Sequence, residues 1–504
     1  MRRWIGENAD WRYLLLAGVV LALAVSQATN NRWSGDFYLH AAVVEELADH
    51  PLDPANPTQS SDTPNADISP YTLAVGLGAR VAATDSSTAL AGASIINVLA
   101  VLALLAPVIR RFTGSRRAPF WALLATLVWW GPDPLAFSGY LNLNSLVLVS
   151  PYPSVFATAG VLLAALAAFC LTEGGGRRWD AVLALTGAAV VISHPLSAMA
   201  GACVVGAILT SARQTVQWHR LAVDAGVAIG LVALWPYYPV SGLVGGVSDL
   251  DTFHNQLYAG LLRWTWPLLV AALPLLALRV RRVGFDDALV LWAGSTTAVF
   301  AAGWVLDFPT LGRIFPFVAL AGSALLAWGL SELEAWHPAT DRGRVVRATA
   351  WAGVGAMAVF GTVNVWEGVR LASPEQLVGS RDPEFGARPQ EAYSMFSLVG
   401  EDGVVMVDGF PAVYVPLFTG RPVASLWTER FSPTDEQRRD DIERFFATDA
   451  TAAERTAIVD RWGVTHVVAD EATPDAAAVT AWLREVGATE LARETGLTLW
   501  SLPG

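Results

Sequence analysis

The sequence predicts a multi-pass α-helical membrane protein with a C-terminal α/β domain, and three observations predict it. Long apolar runs recur from Trp11 to Thr362, each of a length that buries a helix in hydrocarbon. Only 15% of the 504 residues are charged, and mean hydropathy is +0.42, where a soluble chain carries about a quarter charged residues. The charge is also partitioned. From Val365 onward there are 23 Asp and Glu against 12 Arg, a net of −11 out of −12 for the whole chain, so a nearly neutral membrane part precedes an acidic, soluble-type tail.

About eleven spans follow from the apolar runs: 11–28, 88–109, 118–130, 152–171, 181–193, 196–210, 221–238, 264–278, 288–306, 314–330 and 348–363. Arginine supplies every basic residue, since the chain has no lysine. Its clusters (Arg2-Arg3, Arg110 to Arg117, Arg177-Arg178, Arg213 to Arg220, Arg279 to Arg282, Arg342 to Arg347) all fall on the cytoplasmic side if Tyr71 to Ala83 is a re-entrant or interfacial segment that does not cross. The N-terminus is then inside, an uncleaved signal anchor, and the acidic tail is extracytoplasmic. A re-entrant helix is buried in protein or lines a cavity.

Two domains are expected: a membrane module over 1–365, with a first outer loop at 29–70, and a soluble α/β domain over 366–504. In the tail, Val404 to Val407 and His466 to Ala469 read as buried strands, Leu497 to Trp500 as a closing strand, and 435–446, 452–462 and 475–486 as helices. Cys170 and Cys203 lie inside apolar segments and read as small core residues rather than a disulfide or metal pair. An acidic tail argues against nucleic acid. There is no internal repeat.

The residues that could carry chemistry begin where the first span ends. Asn31 to Pro57 presents Gly35-Asp36 and then His40, with Asp36 and His40 spaced i, i+4 on one face of an amphipathic helix lying at the membrane surface. Asp36 in that place reads as a functional acid or as an ordinary helix cap. His40 reads as an interfacial hydrogen-bonding group or a metal ligand. Glu45 is the better site candidate of the Glu45-Glu46 pair. Further along, His194-Pro195 forms a tight outer turn that either breaks a helix or supplies a ligand. Arg313 stands at an outer boundary against the positive-inside trend and reads as functional or as snorkelling. Asp133 in a Pro-Asp-Pro turn and His254 in the 249–256 loop are weaker candidates for substrate binding.

This arrangement resembles the GT-C glycosyltransferases over most of the chain, and among them the polyprenyl-phosphate-sugar-dependent, dolichyl-phosphate-mannose mannosyltransferase-like members. Asp36 with His40 matches the acidic motif of their first outer loop. Ser69-Pro70-Tyr71-Thr72-Leu73 resembles the start of the helix that follows. Ser193-His194-Pro195-Leu196, Gly312-Arg313, and the tail's Thr419-Gly420-Arg421-Pro422 and Trp462-Gly463-Val464-Thr465-His466-Val467-Val468 also fit. The second outer-loop acid of many members is represented only by Asp133, the sole acid in 131–151, which departs from the pattern.

The resemblance implies transfer of a hexosyl or pentosyl group from a polyprenyl-phosphate sugar to a glycan, lipid or protein acceptor on the outer face of the cell membrane, in cell-envelope assembly. Asp36 would be the catalytic base, Arg313 would meet the leaving phosphate, and His194 would bind phosphate or a hydroxyl. Asp36 and His40 could hold a divalent metal such as Mg or Mn, which needs a third ligand. Two other readings stand beside the enzyme: a catalytically inactive GT-C-like scaffold, and a lipid-linked glycan transporter or flippase. A second acid near Asp36 in space favours the enzyme. A transporter would place ionisable groups at the bilayer midplane.

Overall fold

A computed structural model describes residues 10–503, apart from 32, 34, 244–247, 374–392, 402 and 419, with only the backbone of 248–253. Arg2, Arg3 and Thr419, which enter the topology and tail motifs above, lie outside the described residues. The chain forms two compact units, each built from separated segments. The first comprises Met1–Asn30, Ala91–Leu234 and Leu250–Gly379, and the second Asn31–Leu90, Trp235–Asp249 and Ser380–Gly504.

The first unit is a helical membrane bundle. Among the described residues, six helices are long and apolar enough to cross a membrane, or up to seven if the bent pair Asp341–Phe360 and Thr362–Ala372 is one span. The remaining expected spans form shorter helices: Ala118–Val128, Arg178–Ser193, Pro195–Ser211 and Trp218–Ala233. Helix ends are secured locally. Asp287 caps Ala288–Val305 by accepting from the Leu289 and Val290 amides and also binds Arg279, whose guanidinium lies 2.7 Å away and donates to the Phe112 carbonyl. The 249–256 stretch, expected as a loop, belongs to the helix Ser248–Ala259.

The second unit joins the first outer segment to the tail. Gly35 takes a left-handed turn (φ 64°), which only glycine adopts at no steric cost, and the helix Phe37–Asp49 starts directly after Asp36. That helix is not the half-solvated surface helix its amphipathic pattern suggests. Phe37 to Val44 are all buried, partly because the tail's Tyr414 ring stands 5.0 Å from that of Tyr38. Pro70–Ala82 is a helix of 13 residues, about 20 Å long at 1.5 Å per residue and too short to cross a hydrocarbon layer of roughly 30 Å. It packs on Phe37–Asp49 through Gly76, where an added Cβ would meet Leu47 Cβ at 2.9 Å and the Val44 carbonyl oxygen at 3.0 Å.

The tail carries a five-stranded sheet of order β2-β1-β3-β5-β4: β1 (Val404–Met406), β2 (Arg421–Pro422), β3 (His466–Asp470), β4 (Thr489–Glu494) and β5 (Leu497–Ser501). The first three run parallel, and β5 pairs antiparallel to both β3 and β4. The helices Asp435–Phe446, Ala452–Trp462 and Ala476–Glu485 close a core of Met406, Phe445, Ile458, Val467, Trp482 and Trp500. Burial of these side chains on both faces explains why β1 and β3 read as short apolar runs. The strand β4, Thr-Glu-Leu-Ala-Arg-Glu, is a charged edge with no apolar signal.

Candidate functional site

In the second unit the functional geometry starts at Asp36. It occupies the cap position of Phe37–Asp49, yet its side chain makes no capping hydrogen bond. Its backbone carbonyl accepts from the His40 amide at 3.0 Å. The carboxylate instead accepts from the Trp427 indole Nε1–H at 2.8 Å through Oδ1. No other described residue donates to this side chain. The cap reading is therefore replaced by a long-range contact from the tail.

Within electrostatic reach of Asp36 is an acid that the sequence reading passed over. Asp67 lies two residues before the Ser69-Pro70 motif. Its backbone is fixed from both sides, its amide donating to Asn65 Oδ1 at 2.7 Å and its carbonyl accepting from Thr72 Oγ1 at 2.8 Å. Thr72 also closes a capping box with Ser69, two orphan groups satisfying each other. The Asp67 carboxyl is crowded by protein, although part of its surface stays accessible. Desolvation pushes its pKa up, the charge of nearby Asp36 adds to the rise, and His40 opposes it. Asp67 thus lies within electrostatic reach of Asp36 and of the buried His40. The signal that could have found Asp67 was its place just ahead of the Ser69 cap.

A polar network carries this arrangement outward. Asn65 Nδ2 donates to Asn56 Oδ1 at 3.0 Å and to Thr58 Oγ1 at 2.7 Å. The Thr58 hydroxyl lies 2.5 Å from Glu429 Oε1. Glu429 is 8% exposed, and burial, helped by the charges of Asp67 and Asp435, pushes its pKa up to about 7 against the hydrogen bonds from Thr58 and Asn56.

Glu45 is placed differently. Its Oε2 accepts from the Ser86 amide at 3.1 Å. It lines, with Glu46, Asp49, His50 and Arg421, an open cleft of about 650 Å³.

In the first unit, Arg313 sits in the 3₁₀ turn Pro309–Ile314 with its guanidinium carbon 4.9 Å from the centre of the Phe137 ring. Its charge acts on buried Tyr140 and on His254. The His254 Nδ1 lies 3.3 Å from Thr310 Oγ1. Burial first, and Arg313 second, lower its pKa to about 3, so it is neutral at physiological pH. Asp133 forms an ion pair with Arg263, at 2.6 Å, on the turn that Asn364 holds through the Asp133 carbonyl. Its carboxylate is engaged in fixing that turn. His194 caps Pro195–Ser211, with Nδ1 accepting from the Ser197 amide at 3.2 Å. That bond leaves Nε2 as the protonated nitrogen of the neutral ring.

The metal expectation can be tested against the donors. Among the described residues no group of three or more His, Cys, Asp or Glu is gathered closely enough to hold a metal ion. Asp36 also spends one oxygen on Trp427. Asp36 and His40 therefore lack, among the described residues, the third ligand a metal would need.

No protein-family model and no curated protein matches this sequence. Solved structures do share its fold. The Archaeoglobus fulgidus oligosaccharyltransferase tethered to an acceptor peptide has a TM-score of 0.56 at 12% identity, covering 100% of this chain and 75% of its own. ArnT from Cupriavidus metallidurans bound to undecaprenyl phosphate has a TM-score of 0.56 at 14% identity, with 97% of each chain covered. The mycobacterial arabinofuranosyltransferase AftD has a TM-score of 0.56 at 14% identity, with 100% of this chain but 40% of AftD covered.

Proposed function

This chain has the GT-C fold of a multi-pass membrane protein, and from that premise we propose that it is a glycosyltransferase that moves a sugar from a polyprenyl phosphate to an acceptor hydroxyl. The observation that carries the reading is a second carboxyl, Asp67, within electrostatic reach of Asp36, whose own carboxylate is not consumed as a helix cap. Undecaprenyl phosphate on ArnT and the acceptor peptide on the oligosaccharyltransferase support the two substrate classes. The surroundings proposed for the reaction are the cell membrane, with the N-terminus inside and the tail outside.

The roles follow from the chemistry. The acceptor oxygen attacks the anomeric carbon, the bond from that carbon to the phosphate oxygen breaks, and the lipid phosphate departs with the electron pair. An alcohol is a poor nucleophile, and Asp36 takes its proton as the new bond forms. Asp67, pushed upward by its surroundings, is suited to hold a proton and to donate a hydrogen bond to a sugar hydroxyl. The departing phosphate needs a cation. Arg313 offers a planar, permanently charged fork for it, with Phe137 steadying the guanidinium. In this reading His40 tunes the acid pair, Glu45 belongs to the acceptor cleft, and Asp133 and His194 hold the loops.

The test is transfer from a panel of radiolabelled polyprenyl-phosphate hexoses and pentoses by purified protein, beside Asp36→Asn, with and without divalent metal. Sugar incorporation or donor hydrolysis by the wild type should fall by about 10²-fold or more in the variant. Full transfer by Asp36→Asn would sink the base assignment. Donor binding without turnover by the wild type would transfer the weight to the scaffold.

A further inference from the structure

We propose that Trp427, in the tail, is a positioning residue of the active site: its indole N–H fixes the orientation of the Asp36 carboxylate and leaves the second oxygen to take the acceptor proton. The inference rests on the assignment of Asp36 as base, and goes beyond it by giving the tail a part in the chemistry. The bond spans 391 residues of sequence at 2.8 Å. Among the described residues it is the one hydrogen bond to the Asp36 side chain, so the tail holds that carboxylate against rotation. An unheld carboxylate samples several rotamers and presents either oxygen. A general base gains most of its effect from being within hydrogen-bond reach of the proton it removes.

The segment that bears Trp427 is built to hold still. Arg438 donates to the Val423 carbonyl at 2.7 Å and to the Ser60 hydroxyl and carbonyl at 2.9 and 3.0 Å. Arg439 donates to the Ser425 and Leu426 carbonyls at 3.1 and 3.2 Å. Arg430 donates to the Leu243 carbonyl at 2.8 Å. Two residues beyond Trp427, Glu429 engages Thr58 and Asn56 of the first outer segment. The chain is thus clamped on both sides of Trp427, with the clamp reaching into the same outer segment that carries Asp67. A side chain whose role was only to cover the site would not need its backbone tied at so many points.

The experiment uses the full-length protein and the donor panel above, with Trp427→Phe, Asp36→Asn and the double variant. Phenylalanine keeps an aromatic ring and removes the donor. Benzothienylalanine introduced at position 427, which exchanges the N–H for sulfur within the same ring shape, repeats the test if phenylalanine disturbs folding. We expect kcat to fall about 10-fold with the donor KM held within about twofold. The double variant should be no slower than Asp36→Asn alone, because Trp427 acts through Asp36. Three results overturn the proposal: wild-type kcat in Trp427→Phe, a loss confined to donor KM (the signature of a sugar-stacking ring), or losses that add in the double variant. Full transfer by Asp36→Asn overturns the base assignment together with this one. An inactive Asp36→Asn beside a fully active Trp427→Phe removes only the positioning role.

Discussion

Replacing Glu429 by glutamine should remove a pH dependence from the stability of the protein. Glu429 is buried, and its pKa is raised from 4.5 to about 7 in the folded chain. Over that interval the folded state holds a proton that the unfolded state has released. Stability from this group is therefore fully present below about pH 4.5 and is lost as pH rises through about 7. At 1.36 kcal/mol per unit the loss approaches about 3 kcal/mol. The geometry supports a protonated carboxyl. Thr58 has one hydroxyl proton, yet its oxygen lies 2.5 Å from Glu429 Oε1 and 2.9 Å from Asn56 Oδ1 while accepting from Asn65. One donor shared among these acceptors leaves Glu429 with little to stabilise a charge, so burial outweighs the hydrogen bond it accepts from Thr58. Glutamine is neutral throughout and costs about 1 kcal/mol for an altered hydrogen bond. The assay is thermal unfolding of detergent-solubilised wild type and Glu429→Gln at about pH 5 and 8, with the infrared C=O band of a protonated carboxyl followed in parallel. The variant should be the less stable at pH 5 and the more stable at pH 8. Equal pH dependence of the two proteins, or a protonated-carboxyl band unchanged by the substitution, would refute the reasoning.

Other perturbations test other parts. Arg313→Ala should weaken binding of polyprenyl-phosphate donors at least about 10-fold, measured by titration with a labelled donor; unchanged affinity counts against a phosphate role. Asp67→Asn should lower kcat without altering expression or thermal midpoint, and wild-type turnover would remove it from the site. Gly76→Val should destabilise the protein by about 1–3 kcal/mol through overpacking against Leu47 and Val44, read as a lowered thermal midpoint. Arg279→Ala strands the partly buried Asp287 carboxylate and should cost about 3 kcal/mol by the same measurement. His254, with its pKa lowered to about 3, should contribute no inflection to donor binding between about pH 5 and 8, and the profiles of wild type and His254→Gln should run parallel there.

What was legible in the sequence was local. The helices follow the apolar runs because hydrocarbon burial is written residue by residue, and 435–446 and 452–462 match to the residue because amphipathic period and caps such as Thr451 with Glu454 act over one turn. Asp36 was visible through its position after a span. Its surroundings were not. Glu429 and Trp427 meet the first outer helix and its loop through contacts that cross hundreds of residues, Asp67 stands 31 residues from Asp36, and no periodicity encodes these pairings. The helix Phe37–Asp49 shows the same limit: its Glu45-Glu46 end signalled a solvated face, while Tyr38 packs against Tyr414 of a tail far along the chain. Asp133 was visible as an acid, but its Arg263 partner, 130 residues on, decides what it does. The strand β4 was lost because its exposed edge is charged.

The second unit is also a statement about time. Its first segment, which carries both acids, leaves the ribosome early, and Trp427 follows Asp67 only 360 residues later. A nascent chain that stops short of Trp427 has Asp36 and Asp67 but not the indole that holds the Asp36 carboxylate. On the proposed reading, such a chain presents its base without a set orientation and is inert rather than a poorly controlled transferase.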